Sequence, residues 1–301
     1  MHKNSNEMKY NYTIIIPHKN TPELLKRCLN SIPFRNDLQI VVVDDNSDPR
    51  KVDFQHFPGY DRSNVDIVFT HESRGAGYAR NQGMLKAKGK WLMFADADDY
   101  YTANINNLLG KYASVDDIDI VYFNCIGTSL AQNRCKLYNK MIEEYIAGDV
   151  DAEKRIKYNF WVPWNKMFNS SLIRKYNLQF EEVPTGNDAK FSLLASYYSN
   201  KIVVEPDYYY VSVIHSDSIT LRKKTLQEKL SSLSTMLKIW NFLEFVNAPF
   251  YTYRSNIIGA KLLIFIYKQY GIYGILKYLY TYYKEEKAHT LYSEIEKDVC
   301  H

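Results

Sequence analysis

The first hundred residues alternate short apolar runs with segments of helical character. Four runs rich in β-branched and aromatic residues show no alternation of polar and apolar positions, which predicts strands covered on both faces. These predicted strands are Tyr12–Pro17, Gln39–Val43, Val65–Thr70 and Lys90–Ala95. Helices are predicted from Thr21 to about Ser31 and from Ala76 to Lys88, where Gly89 would end the second helix. Strands separated by helices indicate an α/β protein with a mostly parallel sheet flanked by helices.

The remainder of the chain has a mixed and then a helical pattern. Strands are predicted at Ile118–Asn124 and Tyr208–Ile214, and the chain is expected to be helical from Arg222 to its end. We therefore divide the chain into a first half at 1–110, a second half of the same domain at 111–221, and a C-terminal helical region at 222–301.

The composition excludes or disfavours several classes of protein but adds no new feature to this picture. With 46% hydrophobic and 24% charged residues, the 301-residue chain is typical of a soluble globular protein, and a disordered chain is excluded. A formal net charge of +4 is too small to predict a nucleic-acid partner. The four cysteines form no Cys-x-x-Cys pair, which favours reduced thiols over a disulfide framework or a zinc site. Because neither an apolar leader nor an uncharged apolar run of membrane-spanning length is found, we expect a cytosolic protein.

Polar residues follow three of the predicted strands. They are Pro17-His18-Lys19-Asn20, Asp44-Asp45 and Asp96-Ala97-Asp98-Asp99. One acidic turn by itself is usually a solvated loop or a helix cap. However, the carboxyl ends of parallel strands lie at one edge of a sheet, and ligands gather there. Three polar strand ends together therefore predict a ligand site at this edge.

The segment Asp96-x-Asp98-Asp99 is the strongest of these signals. Adjacent carboxylates at a strand end repel one another unless a cation neutralises them. Mg²⁺ and Mn²⁺ prefer oxygen ligands and commonly bridge such carboxylates to substrate phosphates. The segment alone is a weak pattern, but Asp44-Asp45 at the end of an earlier strand strengthens it. We therefore predict a Mn²⁺ or Mg²⁺ site here.

Four motifs stand in order along the chain. They are Ile-Ile-Ile-Pro-x-x-Asn, Val-Val-Val-Asp-Asp-Asn-Ser, Gly-x-x-x-Ala-Arg-Asn-x-Gly and Phe-x-Asp-Ala-Asp-Asp. Their order and spacing resemble the family 2 inverting glycosyltransferases of GT-A fold, closely over 12–101 and more loosely from Trp161 to Thr220. The resemblance implies transfer of a sugar from a nucleotide diphosphate, expected to be UDP, to an acceptor hydroxyl. It also implies a setting in bacterial surface polysaccharide or oligosaccharide synthesis.

The resemblance assigns roles at the nucleotide end of the predicted site. Asp45 would hydrogen-bond the base, expected to be uracil, and the backbone at 17–19 would line the same pocket. Arg80 would face the donor phosphates or sugar, and Asp96 would lie near the ribose. The nucleotide-sugar-binding residues implied in this way are Pro17, His18, Asn20, Asp45, Arg80, Asp96 and Asp98. The family usually has an aromatic or hydroxyl residue where His18 stands.

The resemblance also implies the metal ligands and the catalytic base. Asp98 would bind the metal, and His215 would complete its shell, with a structural histidine as the alternative. Asp188 would remove the acceptor proton as general base. The same acid in Thr185-Gly-Asn-Asp fits a helix capping box, so both interpretations stay open. Relatives commonly have an acid where this chain has Asn187, so a neighbouring charge that could raise the pKa of the base is missing.

Three residues of the second half are candidate substrate contacts. Trp161 and Trp164 fit an acceptor-binding platform for the C–H faces of a sugar, but core packing is the more common role of such residues. Lys166 fits a phosphate contact, with a solvated lysine as the alternative.

Three other functions are compatible with parts of the sequence. The segment 75–80, Gly-Ala-Gly-Tyr-Ala-Arg, resembles a dinucleotide-binding turn, but Arg80 stands where that motif needs a glycine for close packing. A sugar nucleotidyltransferase would share the sheet and the carboxylates, yet the glycine-rich signature expected after the first strand is missing at 17–21. A non-catalytic nucleotide-sugar-binding or assembly subunit is the third alternative, because Asn187 departs from the family pattern.

The C-terminal region carries the positive charge of the chain, with 12 Lys/Arg against 7 Asp/Glu from Arg222 onward. Arg254, Lys261 and Lys268 are spaced by seven residues on one helical face among apolar side chains. Such a helix fits an anionic membrane surface, or packing on the catalytic domain or a second subunit. The family resemblance implies a saccharide acceptor, and a helix on a membrane surface would suit a lipid-linked saccharide. Peripheral contact with the inner face of a membrane and a homodimer through these helices both stay open.

Overall fold

Eight strands form one mixed sheet. The computed structural model describes residues 10–214, 223–248 and 260–287 of the chain. The strands are β1 (Tyr10–His18), β2 (Leu38–Asp45), β3 (Val65–Thr70), β4 (Gly89–Phe94), β5 (Tyr100–Tyr101), β6 (Ile120–Gly127), β7 (Lys166–Asn169) and β8 (Ile202–Ser212). Their order across the sheet is β3-β2-β1-β4-β7-β6-β8-β5. The pairs among β3, β2, β1 and β4 are parallel, as is β6 with β8, whereas β7 is antiparallel to both of its neighbours.

Helices flank the sheet, as the alternating pattern predicts. They are α1 (Pro22–Ser31), α2 (Ala76–Lys86), α3 (Ile105–Tyr112), α4 (Gln132–Ile146), α5 (Ala152–Asn159), α6 (Ser170–Lys175), α7 (Ala189–Tyr198), α8 (Leu226–Phe245) and α9 (Ala260–Lys287). Helix α2 packs on β1 and β2, and α4 packs on β6 and β8. The predicted α/β class is therefore confirmed.

Two predicted boundaries are wrong for identifiable reasons. Gly89 opens β4 instead of ending α2, and a Cβ at this position would lie 2.5 Å from the backbone nitrogen of Thr13. The glycine is therefore needed for the close approach of strand β1. Strand β8 begins at Ile202 and not at Tyr208, because the chain pairs with β6 on both sides of a register shift at Asn124.

Four phenylalanines connect the sheet to the chain around α7. Phe94 on β4, Phe168 on β7, Phe180 before α7 and Phe191 on α7 are each at most 3% exposed. The rings of Phe180 and Phe191 stack with centroids 4.1 Å apart, and both meet Phe94 edge to face. This cluster holds the chain at 180–191 beside the end of β4.

The sheet order brings the predicted polar strand ends to one edge. Strand β1 lies between β2 and β4, and all three run in the same direction. Their carboxyl ends therefore lie at one edge of the sheet. In this register Phe94 is level with Ile15 and Val41, so β2 continues four residues beyond the end of β4.

Helices α8 and α9 make up the described part of the predicted C-terminal helical region. Helix α8 begins with a capping box in which Thr225 and Glu228 each accept a hydrogen bond from the other's backbone N–H. Helix α9 packs on α8 and is broken at Gly271, where φ is 67°. Arg254 lies outside the described residues. Within the described ranges, none of the helices combines the length and the apolar character that a membrane span requires.

We expect Phe191→Ala to lower the free energy of unfolding by about 3–5 kcal/mol, because it opens a cavity in a fully buried aromatic cluster. Chemical denaturation followed by circular dichroism measures this loss. The control is Leu85→Ala, at a side chain that is 75% exposed on α2, and it should change the free energy by less than about 0.5 kcal/mol. Equal losses in the two variants would contradict the role of the cluster in the core.

Candidate active site

Three carboxylates, Asp96, Asp98 and Asp99, follow β4 directly and form what we call the acidic corner. Each offers an oxygen, and these oxygens lie within 4.8 Å of one another. The backbone N–H of Asp99 donates to the carbonyl of Asp96 at 3.0 Å and closes the turn. Asp96 and Asp98 are partly exposed, whereas Asp99 is buried. This all-oxygen donor set fits the Mn²⁺ or Mg²⁺ ion that the sequence predicts.

Asp99 is held by β8 and the residue just after it. One of its carboxylate oxygens accepts from the hydroxyl of Tyr210 at 2.7 Å, and the other accepts from the backbone N–H of Val213 at 2.7 Å. The same hydroxyl accepts from the backbone N–H of Asp96 at 3.0 Å, so Tyr210 bridges two of the acidic residues. Burial, together with the charges of Asp96 and Asp98, raises the pKa of Asp99 well above its ordinary value.

Arg80 connects the acidic corner to the start of α7. Its guanidinium donates to the carboxylate of Asp96 at 2.7 Å and to the side-chain carbonyl of Asn187 at 2.8 Å. The arginine side chain is 6% exposed and lies 5.3 Å from the ring centroid of Phe180. The side chains of Arg80 and Asn187 therefore connect the acidic corner to the residue before Asp188.

Asp188 follows this contact, immediately before α7. The capping box at 185–188 is not formed, because Asp188 occupies the N-cap position itself and its side chain makes no capping hydrogen bond. Burial raises the pKa of the Asp188 carboxyl above its ordinary value, although the positive charge of Arg80 opposes this rise. A carboxylate with a raised pKa is a stronger base at neutral pH, so Asp188 is suited to proton abstraction.

Asp45 ends β2, on the other side of β1. One carboxylate oxygen accepts from the backbone N–H of Gly75 at 2.9 Å and lies 3.2 Å from Nζ of Lys19. The other oxygen, Oδ1, is buried and has no hydrogen-bond partner within the described part of the chain. Because an unpaired buried acceptor is unfavourable, an N–H group of a bound ligand would stabilise it.

Two predicted nucleotide contacts are engaged within the protein. His18 is 2% exposed, its Nδ1 lies 2.8 Å from the carboxylate of Asp44, and its Nε2 accepts from the backbone N–H of Thr21 at 3.1 Å. The His18 side chain is therefore held inside the protein, and the expected contact with the nucleotide through the backbone at 17–19 stays a prediction. The side-chain carbonyl of Asn20 accepts from the backbone N–H of Asp48 at 2.7 Å and joins two loops.

Comparison with known proteins decides the family. The sequence profile of glycosyl transferase family 2 matches residues 13–179, which is more than half of the chain. This chain belongs to glycosyl transferase family 2. The resemblance carried by the four sequence motifs is therefore confirmed.

Several characterised and uncharacterised proteins are similar to this family 2 chain. A poly(ribitol-phosphate) beta-glucosyltransferase of Bacillus spizizenii is 27% identical over 211 residues, which are 68% of this chain and 32% of that protein. The putative glycosyltransferase EpsH of Bacillus subtilis is 25% identical over 240 residues, which are 74% of this chain and 67% of that protein. The chain thus spans about a third of the first relative and about two thirds of the second.

The family 2 domain shares its fold with solved glycosyltransferases. A fragment of S. aureus TarS in complex with UDP-GlcNAc has a TM-score of 0.62 at 18% identity, over 93% of this chain and 91% of that chain. The mannosyltransferase PcManGT of Pyrobaculum calidifontis, in complex with GDP-Man and Mn²⁺, has a TM-score of 0.53 at 15% identity, over 90% and 73% of the two chains. At these identities the likeness concerns the fold alone, and it confirms the predicted GT-A architecture.

The two glycines before Arg80 have different roles in this family 2 domain. Gly75 precedes α2 with a φ of 91°, which favours glycine. A Cβ on Gly77 would lie 2.1 Å from the carbonyl oxygen of Glu181. Helix α2 therefore packs directly against the chain that leads to Asp188, and the family match replaces the dinucleotide-binding interpretation.

The two tryptophans of the family 2 domain have different surroundings. Trp164 is 2% exposed and stacks on Tyr210 with 5.2 Å between ring centroids, and Arg134 lies 4.9 Å from its ring. The predicted sugar platform does not fit this buried position, because the ring is packed against buried Tyr210. Trp161 is only partly buried, and its indole N–H donates to the carbonyl of Tyr158.

Lys166 is completely buried, which contradicts both sequence interpretations of this residue. Its ammonium group donates to the carbonyl of Phe160 and lies 4.8 to 5.9 Å from the ring centroids of Phe160, Tyr122 and Phe168. Burial lowers the pKa of this amine well below its ordinary value, although nearby Asp188 opposes the shift. Lys166 therefore supports the core behind Asp188 and does not reach a phosphate.

Two residues of the site carry no signal in the sequence. Arg27 on α1 donates to the backbone carbonyl of Asp98, but no motif surrounds it. Tyr210 is one of three consecutive tyrosines. The alternation of a strand predicts the same environment for Tyr208 and Tyr210, but Tyr208 is 44% exposed and Tyr210 is 0% exposed.

Pro17 is partly exposed at the end of β1. His215 lies outside the described residues.

We expect Tyr210→Phe to lower the Mn²⁺ affinity of the acidic corner by about tenfold, because the lost hydroxyl bridges Asp96 and Asp99 while the ring is kept. Calorimetric titration with Mn²⁺ measures this change. The control is Tyr122→Phe, which removes a buried hydroxyl bonded to Ser196. Both variants should lose about 1–2 kcal/mol of stability, but only Tyr210→Phe should bind Mn²⁺ more weakly. Unchanged affinity in Tyr210→Phe would contradict the bridging role.

Proposed function

We propose that this chain is a metal-dependent, inverting glycosyltransferase that moves a sugar from a nucleotide diphosphate to an acceptor hydroxyl. The observation that carries the proposal is the pair of hydrogen bonds made by Arg80. They link the acidic corner, through Asp96, to Asn187, the residue before the candidate base Asp188. The buried side chain of Arg80 therefore connects the acidic corner, which is suited to binding a metal-bound diphosphate, to the chain that carries Asp188, which is suited to proton abstraction.

The donor is a UDP-sugar in this proposal. The unpaired Oδ1 of Asp45 would accept a hydrogen bond from an N–H of the base, and uracil has one such group. Asp45 and Asp98 follow the two strands that flank β1, at the same edge of the sheet, so the nucleotide would lie across this edge with its base at Asp45 and its diphosphate at Asp98. The likeness to TarS, whose crystal holds UDP-GlcNAc, supports a UDP-sugar and a hexosyl or N-acetylhexosaminyl group.

The diphosphate would be bound at the acidic corner. Asp98 and Asp96 would bind a Mn²⁺ or Mg²⁺ ion, because both are partly exposed whereas Asp99 is buried. A bound divalent ion supplies positive charge that offsets the negative charge developing on the departing diphosphate. The likeness to PcManGT, which was crystallised with Mn²⁺, supports this assignment. Arg80 would add a fixed cation beside the same phosphates or the donor sugar.

Asp188 would act as the general base. Its raised pKa favours removal of the proton from the acceptor hydroxyl as that oxygen attacks the anomeric carbon. The attack would come from the face opposite the leaving diphosphate. A single displacement from this face inverts the configuration at the anomeric carbon. No covalent glycosyl-enzyme forms, so no carboxylate is required as a nucleophile.

The acceptor would be bound by the second half of the domain, 111–221, while the first half, 1–110, binds the donor. Trp161 is the remaining candidate for a sugar contact, since it is partly exposed. The similarity to a poly(ribitol-phosphate) beta-glucosyltransferase supports a hydroxyl of a bacterial surface polymer, or of its lipid-linked precursor, as the acceptor. The family assignment favours this transfer over the nucleotidyltransferase alternative.

We expect Asp98→Asn to weaken Mn²⁺-dependent binding of UDP by about tenfold or more, because a metal ligand is lost. Titration calorimetry with UDP in the presence and absence of Mn²⁺ measures the effect. Asp61→Asn, at an exposed carboxylate before the start of β3, is the matched control and should leave the affinity unchanged. Equal UDP affinity in Asp98→Asn and the unchanged protein would contradict a metal site at this residue.

We expect Asp188→Asn to reduce sugar transfer by about 10²- to 10⁴-fold while UDP and Mn²⁺ affinities change little, because only the proton acceptor is removed. In the unchanged protein, kcat/KM should fall as the pH drops through an apparent pKa above 3.8, since Asp188 must be ionised to act. A UDP-release assay across nucleotide sugars with Mn²⁺ gives both readouts. Undiminished turnover of Asp188→Asn would remove this residue from the mechanism.

A further inference from the structure

The second arm of α9, 272–287, carries apolar side chains on its outer side. Helix α9 is divided at Gly271 into arms at 260–270 and 272–287. We call five exposed side chains of the second arm the α9 stripe: Ile272, Tyr273, Leu276, Leu279 and Tyr280, which are 42–66% exposed. Their spacing of three and four residues gives one continuous helix face. Each side chain is large, so the face is a contiguous apolar surface and not a scatter of single residues.

The opposite side of α9 is already packed on the protein. Ile266 and Tyr278 are at most 4% exposed, and the carboxylate of buried Glu285 accepts from the hydroxyl of Ser234 on α8 at 2.9 Å. Asn241 on α8 donates to the carbonyl of Glu285 at 3.2 Å. These contacts determine which side of α9 faces inward. Packing on the catalytic domain therefore accounts for the inner face and leaves the α9 stripe without a partner among the described residues.

The charges beside the α9 stripe have one sign. Lys277 and Lys284 are exposed and seven residues apart, and Nζ of Lys277 lies 5.6 Å from the ring centroid of Tyr273. Lys268 is exposed on the first arm. Among the described side chains at 263–285 the one acid, Glu285, is buried. An isologous contact with a second copy would bring these lysines together, so the charges favour a partner that is itself anionic.

We propose that the α9 stripe is a docking surface for an anionic lipid bilayer. Tyrosine rings suit the boundary between acyl chains and headgroups, and leucine and isoleucine add apolar area. Lysine side chains at the edge of such a face reach the phosphates of anionic lipids while their aliphatic parts lie along the apolar surface. The inference goes beyond the proposed reaction and does not depend on it, because binding to the bilayer needs neither donor nor acceptor.

The test is co-sedimentation of the full chain with vesicles, measured without sugar nucleotide. One set of vesicles contains phosphatidylglycerol and phosphatidylcholine in equal amounts, and the other contains phosphatidylcholine alone. Leu276→Ser/Tyr280→Ser removes apolar area from the α9 stripe, and Lys277→Gln/Lys284→Gln removes its charges. The matched controls are Ile146→Ser/Val150→Ser, at exposed apolar residues on another surface, and Lys51→Gln/Lys140→Gln, which lowers the net charge equally. Thermal unfolding confirms that each variant is folded.

We expect the unchanged protein to bind the anionic vesicles, to be released by high salt, and to bind phosphatidylcholine weakly. The stripe lysine variant should bind about tenfold more weakly, and the stripe apolar variant should lose binding, while both controls bind normally. Failure of the unchanged protein to sediment with anionic vesicles would overturn the proposal. Light scattering measures the oligomeric state and tests the alternative partner, a second copy of the chain. A dimer that Leu276→Ser/Tyr280→Ser abolishes would assign the surface to that second copy and overturn the proposal. Donor hydrolysis, assayed without vesicles, reports on the proposed reaction independently.

Discussion

Arg80 donates hydrogen bonds to Asp96 and Asn187 from a position that is almost fully buried, and the arrangement of the site depends on this contact. A guanidinium so far from water is stable only with anionic or strongly polar partners. The strand that ends at the acidic corner and the chain that leads into α7 are therefore held at a fixed separation. Two further contacts restrict the position of Arg80. Helix α2 approaches the chain closely at Gly77, and the ring of Phe180 lies against the guanidinium.

The negative charges of the acidic corner are partly compensated by other groups of the protein. Arg80 compensates Asp96, and Tyr210 with the N–H of Val213 satisfies both oxygens of Asp99, whose raised pKa reflects the remaining repulsion. A cation bound at Asp98 would relieve that repulsion further. The buried Oδ1 of Asp45 lacks a hydrogen-bond partner among the described residues. In the function proposed here, a metal-bound nucleotide diphosphate would satisfy both ends of the edge at once.

The amino-acid sequence predicts the sheet and its functional edge well, and individual burial poorly. Apolar runs that end in aspartates at 45 and 96 reveal both the parallel strands and the side chains at their carboxyl ends, because both properties follow from local pattern. The buried positions of His18, Trp164 and Lys166 could not be predicted, since they depend on neighbours distant in sequence. For Lys166 the distant neighbour is Tyr122 on β6, which packs beside the ammonium group together with Phe160 and Phe168 from nearby in the sequence. The contacts of Tyr210 with Asp96 and Asp99 could not be predicted for the same reason.

The central claim is that the edge between β2 and β4 binds a sugar nucleotide with its base at Asp45 and its diphosphate at the acidic corner. A crystal structure of the chain soaked with UDP and Mn²⁺ tests it most directly. The account predicts an N–H of uracil within hydrogen-bond distance of Oδ1 of Asp45, and Mn²⁺ between Asp98 and the diphosphate. UDP bound in another cleft, with no ion at Asp98, would contradict the account.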